Sequence, residues 1–476
     1  MSTNISTKLK IIENKLRRDA NMAGQIDYNE QIAWMLFLKA LDVLEQKQIT
    51  EAKLSDKNPE LIFDKEYRWS SWAVGDKYTS EERYDFVKNK LLPYLRHIND
   101  TPIRRLIAQI FEEIPTKLMK SPYGMSEVLE LIDSIDLNNP EDTHIVSQFY
   151  ESALQKMGSA GRQAGGEFYT PRPVIRFIIK IIKPKIGEKI LDPFMGSGGF
   201  LAETFQYLKN QENLTAKEYE ILQNQTFIGQ ELKPIPFLLG VMNCILHELY
   251  GAEFIRENTF SKNIRAIPPK ERVDVVLTNP PFGAEIEPTL LENFPYPTRS
   301  TQVLAVQYIL RKLKPGGRCG MVVDEGFLSR VNEKAFLNTK KELLEENNLF
   351  AVISLPQGVF TRVGAGVKTN LIFFEKGKPT KEIWYYELVG KFTKTKPIKD
   401  SDFEDALKKF QTRAISENSW IVKKEEIIKR NYDLSARNPN RVRPSTYKPP
   451  KKLIEKVLQK EKKIATILKE IRSMLK

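Results

Sequence analysis

Short runs of β-branched and aliphatic residues alternate with helical stretches through the middle of the chain, and this alternation constrains the fold most strongly. The runs lie at residues 189–191, 226–228, 273–278, 318–323, 350–355 and 370–374. Strands that are separated by helices pair into a mostly parallel sheet with helices packed on its faces. The sequence therefore predicts an α/β layer whose sheet ends near residue 374.

The chain on either side of this layer has a different character. At 476 residues it is too long for one ordinary core, so two or three domains are expected. Residues 1–142 are predicted to be a helical N-terminal domain, because apolar residues recur there at three- and four-residue spacing. Residues 143–435 are assigned to the α/β domain. Residues 436–476 are predicted to be a linker rich in proline and arginine, followed by an amphipathic helix.

Three aromatic residues in the helical part, Tyr67, Trp69 and Trp72, form a cluster that is flanked by charged residues. Rings of this kind either fill a hydrophobic core or provide a platform on which nucleic-acid bases stack. We favour the core of the helical domain.

Composition excludes several classes of protein. No stretch approaches the roughly 18 consecutive apolar residues of a membrane span, and the first residues lack the apolar segment of a secretory signal. Cys244 and Cys319 lie in apolar surroundings and are interpreted as small core residues in a reducing cytoplasm. The histidines His97, His144 and His247 have no ligand cluster beside them, so no metal site is expected. A cytoplasmic location without a membrane is predicted.

The net charge of +13 suggests a polyanionic partner, although the charge is unevenly distributed. Residues 441–476 hold twelve Lys or Arg and three Glu, a net charge of +9, which leaves +4 for the first 440 residues. Because the first 440 residues are so weakly basic, we expect that much of any DNA binding is contributed by something other than this part of the chain. The alternative is that the basic end is a solvated tail.

The basic helix predicted at residues 452–475 carries one apolar face. That face consists of Ile454, Val457, Leu458, Ile464, Leu468, Ile471 and Leu475, and is interrupted by Glu461. Two interpretations stay open, because the helix either packs back on its own domain or docks on a helix of a partner.

A glycine-rich turn follows the first predicted strand. It consists of Asp192, Pro193, Phe194, Met195, Gly196, Ser197, Gly198 and Gly199. Such a turn lets the backbone approach a ligand and directs the first amides of the next helix at it. Alone it is weak evidence, because similar turns bind dinucleotides. It lacks the third glycine of the dinucleotide fingerprint and begins with an acid, which suits a cationic group such as the amino group of a methionine moiety.

Glu231 closes the second predicted strand. An acid at this place in a nucleotide-binding sheet typically accepts hydrogen bonds from ribose hydroxyls. An isolated Glu is more often a solvated residue, but its position one strand after the glycine turn favours the functional interpretation.

The turn Asn279-Pro280-Pro281-Phe282 follows the strand at 273–278 and decides the interpretation. Two prolines stiffen the backbone at the carboxyl end of a strand, where open sheets bind their ligands. The side-chain oxygen of Asn279 and the carbonyl of Pro280 can together accept both hydrogens of an exocyclic amine. Phe282 offers a ring on which a base removed from its duplex can stack. The alternative is a structural proline turn with a capping asparagine.

These motifs together resemble the amino-methyltransferases, and more narrowly the modification subunits of type I restriction enzymes. The narrower resemblance is carried by the segment Gly166-Glu167-Phe168-Tyr169-Thr170-Pro171-Arg172 and by three downstream segments. Those segments are Leu355-Pro356-Gln357-Gly358-Val359-Phe360, Val367-Lys368-Thr369-Asn370 and Asn431-Tyr432-Asp433-Leu434-Ser435. The resemblance implies a class I, Rossmann-like methyltransferase domain that is dependent on S-adenosylmethionine.

Site residues follow from the resemblance by position. Contacts with S-adenosylmethionine are implied for Glu167, Phe168, Tyr169, Thr170, Pro171, Arg172, Asp192, Gly196, Ser197, Gly198, Gly199 and Glu231. Asn258 stands where the family commonly has an Asp near the adenine of the cofactor. The target adenine would be held by Asn279, Pro280, Pro281 and Phe282. The implied reaction is direct attack of adenine N6 on the methyl group, without a covalent enzyme intermediate.

The resemblance also implies partners. They are DNA, a separate specificity subunit, a restriction subunit and a second copy of this chain. The segment Gly364-Ala365-Gly366-Val367-Lys368-Thr369 fails the spacing of a phosphate loop, so any ATP-driven step belongs to another subunit. Two alternatives remain, namely a stand-alone methyltransferase of RNA or of protein amides, and a scaffold that keeps the fold without catalysis.

Overall fold

A computed structural model describes residues 5–54, 61–139, 170–211, 214–283, 286–360, 368–393, 395–435, 437–440 and 450–474. The chain forms two compact units, Met1–Arg437 and Asn438–Lys476. The predicted boundary between residues 142 and 143 lies outside the described residues. Among the helices that the structure describes, none is long and apolar enough to cross a membrane.

The first part of the larger unit is helical, as the spacing of its apolar residues predicts. Its helices are α1 (Ile5–Arg18), α2 (Gln25–Leu54), α3 (Trp69–Trp72), α4 (Ser80–Phe86), α5 (Leu92–His97), α6 (Pro102–Phe111) and α7 (Pro122–Asp133). Trp69 and Trp72 are 2% and 0% exposed, and the half-buried ring of Tyr67 stacks on that of Tyr94 at 3.7 Å. The prediction that these rings belong to a core is confirmed.

A nine-stranded sheet follows, with the strand order β3-β2-β1-β4-β5-β7-β6-β8-β9. The strands are β1 (Ile190–Asp192), β2 (Phe227–Gln230), β3 (Glu253–Ile255), β4 (Val273–Thr278), β5 (Leu313–Asp324), β6 (Asn347–Ser354), β7 (Thr369–Lys376), β8 (Glu382–Glu387) and β9 (Ser419–Lys423). The helices between them are α8 (Arg172–Ile182), α9 (Gly199–Lys209), α10 (Ala216–Asn224), α11 (Pro234–Leu246), α12 (Thr301–Lys312), α13 (Glu325–Ser329), α14 (Lys334–Glu345), α15 (Glu404–Thr412) and α16 (Lys424–Lys429).

Each of the six predicted runs overlaps a strand and extends at most one residue beyond it, and β4 has the predicted bounds. The prediction that the sheet ends near residue 374 is wrong, because β8 and β9 continue it as far as Lys423. The prediction also lacked β3. These three strands lie at or next to the edges of the sheet, and β3 and β8 begin with an exposed Glu. Strands β3 and β9, at the edges, are only 3 and 5 residues long. Strand β8 instead carries a continuous buried run, Ile383–Tyr386, that is typical of a strand.

The directions and the order of the strands determine where a site is expected. Strands β3, β2, β1, β4 and β5 are parallel, whereas β7 runs antiparallel to both of its neighbours, β5 and β6. The chain moves outward from β1 to β3 on one side and from β4 to β5 on the other. Ligands of open sheets bind outside the carboxyl ends of the strands at such a reversal. The ends of β1 and β4 are therefore the place to expect a site.

Helix α8 is fastened to a distant part of the chain. The guanidinium of Arg176 donates two hydrogen bonds to the carboxylate of Asp400, at 2.8 and 2.7 Å. Beside this pair, the rings of Phe177 and Phe403 stack with their centroids 4.4 Å apart. The helix that follows Pro171 is thus held by a short 3-10 turn that comes 224 residues later in the chain.

The second unit contains one described helix, α17 (Pro450–Met474). Six of its apolar side chains are about half exposed or more, namely Ile454, Val457, Leu458, Ile464, Ile467 and Leu468. Exposed apolar residues on one face of a helix are unusual in a finished fold.

Candidate active site

The carboxylate of Asp192 lies at the end of β1 and is 1% exposed. Its Oδ1 accepts hydrogen bonds from Thr278 Oγ1 at 2.6 Å and from the Phe194 amide at 3.2 Å. Its Oδ2 is buried and has no hydrogen-bond partner among the described residues. Burial, and to a smaller extent the negative charge of Glu231, raise the pKa of Asp192 to about 7 although both hydrogen bonds lower it. Asp192 is therefore a buried acid with an unused acceptor.

The glycine turn after β1 has the left-handed backbone that glycine favours. Gly196 has φ +49° and Gly198 has φ +70°, and Gly198 is the N-cap of α9. The Gly198 amide donates to the carbonyl of Met195 at 2.8 Å, which closes the turn. The first residues of α9 therefore begin directly beside Asp192, with the helix N-terminus at the carboxyl edge of the sheet.

Helix α11 packs against the glycine turn, a contact that no sequence pattern indicated. A Cβ on Gly240 would lie 2.5 Å from the carbonyl oxygen of Gly196, and a Cβ on Gly198 would lie 2.7 Å from that of Gly240. Asn243 Nδ2 donates to the carbonyl of Ser197 at 2.7 Å. The turn is therefore supported from behind by a helix whose glycine permits backbone-to-backbone contact.

Glu231 lies directly after β2 and binds backbone amides. Its Oε2 accepts from the Gly196 amide at 3.0 Å, and its Oε1 accepts from the amides of Leu232 and Lys233 at 2.8 and 2.9 Å. The structure thus places Glu231 beside the glycine turn, and its contact with a ribose stays a prediction. Its described contacts brace that turn against the beginning of α11.

Asn279 follows β4 and contacts the segment that precedes α8. Its Nδ2 donates to Thr170 Oγ1 at 3.0 Å, and Thr170 is 6% exposed. The residue before Asn279 is Thr278, whose hydroxyl bonds to Asp192. Three separately predicted motifs therefore meet at the ends of β1 and β4. Glu167, Phe168 and Tyr169 lie outside the described residues.

The rest of the proline turn is more enclosed than the sequence indicated. The carbonyl of Pro280 accepts a hydrogen bond from Gln302 Nε2 at 3.1 Å, and that of Pro281 accepts from Thr301 Oγ1 at 2.6 Å. Phe282 is 9% exposed and belongs to the hydrophobic core. Its stacking on a base stays a prediction, and requires that the buried ring be uncovered when the base enters.

Two further predicted residues have structural contacts of their own. Arg172 Nη1 donates to the carbonyl of Gly199 at 3.1 Å and lies 3.6 Å from Glu203 Oε1, so Arg172 joins α8 to α9, while Pro171 is the N-cap of α8. Asn258 Oδ1 accepts from the Phe260 amide at 3.0 Å. The oxygen of Asn258 is thus engaged in a local turn, which weakens its assignment to the cofactor.

The chain matches two family models. One, for N-6 DNA methylases, covers residues 141–446, and the other, for the HsdM N-terminal domain, covers residues 5–132. The first match extends over more than half of the chain and includes every strand of the sheet. The chain belongs to the N-6 DNA methylase family. The class I methyltransferase fold predicted from the sequence is confirmed, and enzymes of this class use S-adenosylmethionine.

Relatives of this N-6 DNA methylase are subunits of type I restriction enzymes. It is 35% identical over 455 residues to the EcoEI methylase subunit of Escherichia coli, an alignment covering 91% of this chain and 90% of the relative. A solved modification subunit assigned to a type I restriction enzyme of Vibrio vulnificus YJ016 is 35% identical, with a TM-score of 0.84 over 93% of this chain and 98% of that one. A chain from a solved type I restriction–modification system is 41% identical, with a TM-score of 0.77 over 100% and 99%.

Proposed function

We propose that this chain transfers a methyl group from S-adenosylmethionine to N6 of adenine in a specific DNA sequence, as the modification subunit of a type I restriction–modification complex. The observation that carries the proposal is the junction of β1 and β4. There Thr278 bonds to Asp192, and the next residue, Asn279, bonds to Thr170. The acid of the glycine turn and the amide of the proline turn are therefore held on neighbouring strands.

The chain's own residues fit the cofactor. The unused Oδ2 of Asp192 is an acceptor for a cationic amino group, and a cationic partner would favour the ionised form of this buried acid. The close contact between the glycine turn and Gly240 leaves the turn's outer side as the place for a ligand. When bound there, S-adenosylmethionine supplies an electrophilic methyl group. The residues that would hold it are Glu167, Phe168, Tyr169, Thr170, Pro171, Arg172, Asp192, Gly196, Ser197, Gly198, Gly199 and Glu231, with Asn258 at its adenine.

The proline turn suits the target base. Because the Asn279 Nδ2 faces the Thr170 hydroxyl, the orientation of the amide is fixed and its Oδ1 is the acceptor for one amine hydrogen. The carbonyl of Pro280 is the acceptor for the other. Two acceptors fix the amine in position, favour a pyramidal nitrogen and direct its lone pair at the methyl group. No proton needs to be removed by a separate base before the attack.

Gly240 provides a test of the cofactor site that involves no ligand-contacting side chain. Gly240→Ala is expected to weaken S-adenosylmethionine binding at least about tenfold, because the new Cβ would meet the carbonyl of Gly196 at 2.5 Å and displace the turn. Equilibrium binding of labelled cofactor measures the effect. Gly24→Ala is the control, since a Cβ there meets nothing within 4 Å. Unchanged affinity in Gly240→Ala would contradict the role given to this contact.

The function itself is tested by base-resolution mapping of methylated adenine in DNA from cells with and without the chain. Loss of methylation at one recurring sequence is the expected result. A transfer assay with labelled cofactor on DNA, RNA and protein then separates the alternatives. Transfer to RNA or protein alone would favour a stand-alone amide methyltransferase, and cofactor binding without any transfer would favour a scaffold.

Partner subunits are proposed on the basis of charge and of α17. The first 440 residues carry a net charge of only +4, and six apolar side chains of α17 are exposed. A separate specificity subunit would supply sequence recognition and part of the grip on DNA, with α17 docking on it. A restriction subunit and a second copy of this chain would complete the assembly.

Deleting residues 451–476 is expected to disrupt assembly with the specificity subunit and to leave cofactor binding intact. A milder form of the test is Leu468→Asp, which places a charge on the exposed apolar face. Gln459→Asp is the matched control, because it lies nine residues away and so on the opposite face of the helix. Co-purification and gel filtration measure assembly, and full recovery of the partner with the truncated chain would refute the docking role.

A further inference from the structure

The two prolines stiffen the backbone of the proline turn but leave it without amide donors at these positions. Pro280 and Pro281 lack the amide hydrogen with which other residues anchor a turn. Their carbonyls must therefore be oriented by donors from elsewhere. This matters because the proposed function, on which the following inference rests, gives the carbonyl of Pro280 a direct contact with the amine that is methylated.

The donors come from the first two residues of α12. Thr301 Oγ1 donates to the carbonyl of Pro281 at 2.6 Å. Gln302 Nε2 donates to the carbonyls of Pro280 and Pro281, at 3.1 and 3.2 Å. Thr301 and Gln302 are each 1% exposed, so water does not compete with them for these carbonyls. The beginning of α12 thus holds both proline carbonyls from behind.

Gln302 occupies this place at an energetic cost. Its Oε1 is buried and has no hydrogen-bond partner among the described residues, an arrangement that destabilises the fold. Gln307, five residues further along the same helix, shows the ordinary arrangement. Its Nε2 and Oε1 bond to the carbonyl and the amide of Tyr296, at 2.9 and 3.0 Å. An apolar residue at position 302 would avoid the unpaired oxygen but would release the carbonyl of Pro280.

We propose that Thr301 and Gln302 are positioning residues, which set the direction of the proline carbonyls and through them the attack geometry of the amine. A carbonyl oxygen accepts two hydrogen bonds. The hydrogen bond from Gln302 occupies one lone pair of the Pro280 carbonyl oxygen and fixes the orientation of that carbonyl. The second lone pair then has a fixed direction and accepts the amine hydrogen. Neither side chain touches the substrate, and neither belongs to the cofactor site.

The inference predicts an effect on the chemical step rather than on binding. A misplacement of about 1 Å at a reacting group costs on the order of 10²-fold in rate. Gln302→Met keeps the volume and unbranched shape of the side chain and removes the donor. It is expected to lower kcat about 10- to 100-fold, with the KM for DNA and the Kd for S-adenosylmethionine within about threefold of wild type.

The experiment uses the full-length chain together with its specificity subunit and a DNA duplex that contains the methylated sequence found by mapping. Gln307→Met is the matched control, since it makes the same change at a residue of the same helix that is also 1% exposed. It removes two hydrogen bonds to Tyr296, so it is expected to lower the melting temperature but not kcat. If the loss of kcat came only from a general destabilisation of α12, it would occur in both variants.

Thr301→Val and Thr301→Ser form a second pair, which decides the question if Gln302→Met does not fold. The valine removes the donor to Pro281 and is expected to lower kcat, whereas the serine keeps the hydroxyl and is expected to restore it. Wild-type kcat in Gln302→Met, or in Thr301→Val, would overturn the inference, as would equal losses in Gln302→Met and Gln307→Met. Absence of adenine methylation by the wild-type complex would instead refute the proposed function.

Discussion

Asn279→Ala is expected to lower kcat for DNA methylation by about 10³-fold, the upper range for removing one polar group that acts in the transition state. The side chain is the acceptor for one hydrogen of the target amine, and its loss leaves the amine's lone pair free to remain delocalised into the ring. The cofactor site should be little affected, because Asp192 and the glycine turn keep their contacts with Thr278, Gly240 and Glu231.

This prediction is measured by transfer of label to the mapped duplex and by equilibrium binding of S-adenosylmethionine. The Kd for the cofactor is expected to stay within a few fold of wild type. Asn210→Ala is the control, because Asn210 is an exposed residue at the end of α9. Activity near that of wild type in Asn279→Ala would contradict the assigned role, and a lost cofactor site would show that the residue is structural.

Asp192→Asn is expected to have opposite effects on cofactor binding and on stability. Asparagine keeps an oxygen for the hydrogen bonds from Thr278 and Phe194, so the local geometry is retained. The negative charge that would pair with the amino group of the cofactor is lost. Loss of a charge-assisted hydrogen bond of this kind weakens binding on the order of 10- to 100-fold.

The stability of the ligand-free protein should change with pH in a defined direction. Because burial raises the pKa of Asp192 to about 7, the ionised form destabilises the fold. The free-energy cost of ionising Asp192 in the folded protein is absent below about pH 4, the pKa of this group in the unfolded chain. The cost grows as the pH rises and reaches its full value above about pH 7. Asp192→Asn removes this cost, so at pH 8 the free energy of unfolding of the variant should exceed that of wild type by roughly a few kcal/mol.

Thermal melts at pH 5 and pH 8, without cofactor, measure this difference. The gain of the variant should be larger at pH 8 than at pH 5. Excess S-adenosylmethionine should make the gain smaller, because the wild type binds the cofactor more tightly and is stabilised more by it. The exposed Asp76→Asn serves as the control, with no such dependence on pH. A variant less stable than wild type at pH 8 would contradict this prediction, because it would show that the ionised Asp192 is already stabilised by the protein without a ligand.

The sequence predicted the parts of the site in which local chemistry and strand position agree. The turn at Asn279 follows a buried run that can only be an inner strand, and Asp192 ends another, so both were placed at one edge of the sheet. Gln302 and Gly240 could not be found in this way. Each acts through a contact between segments far apart in sequence, and a lone Gln or Gly in a helix has many ordinary explanations.

Side-chain burial was the other limit. Phe282 was expected to present its ring to a base, but it is 9% exposed because its ring packs in the hydrophobic core. Likewise Glu231, expected at a ribose, is engaged by the amides of Gly196, Leu232 and Lys233. The sequence pattern predicts which residues lie at the edge of the sheet. It does not predict the neighbours of each side chain, because these depend on how the elements pack. Strand β9 is a short edge strand with a weak pattern, whereas β8 was missed although its run Ile383–Tyr386 is typical of a buried strand.

The pairing of Arg176 with Asp400 has a consequence for biosynthesis. Helix α8 leaves the ribosome long before the acid that fastens it, since 224 residues separate the two. Contacts so far apart in sequence form late and slow the folding of a domain. The nascent chain therefore completes its helical N-terminal part first, and the edge that carries Thr170 is secured only after synthesis has passed Phe403. A chain terminated after β7 would contain every catalytic motif, but its α8 would be held by α9 and β5 without the contacts that Asp400 and Phe403 make with Arg176 and Phe177.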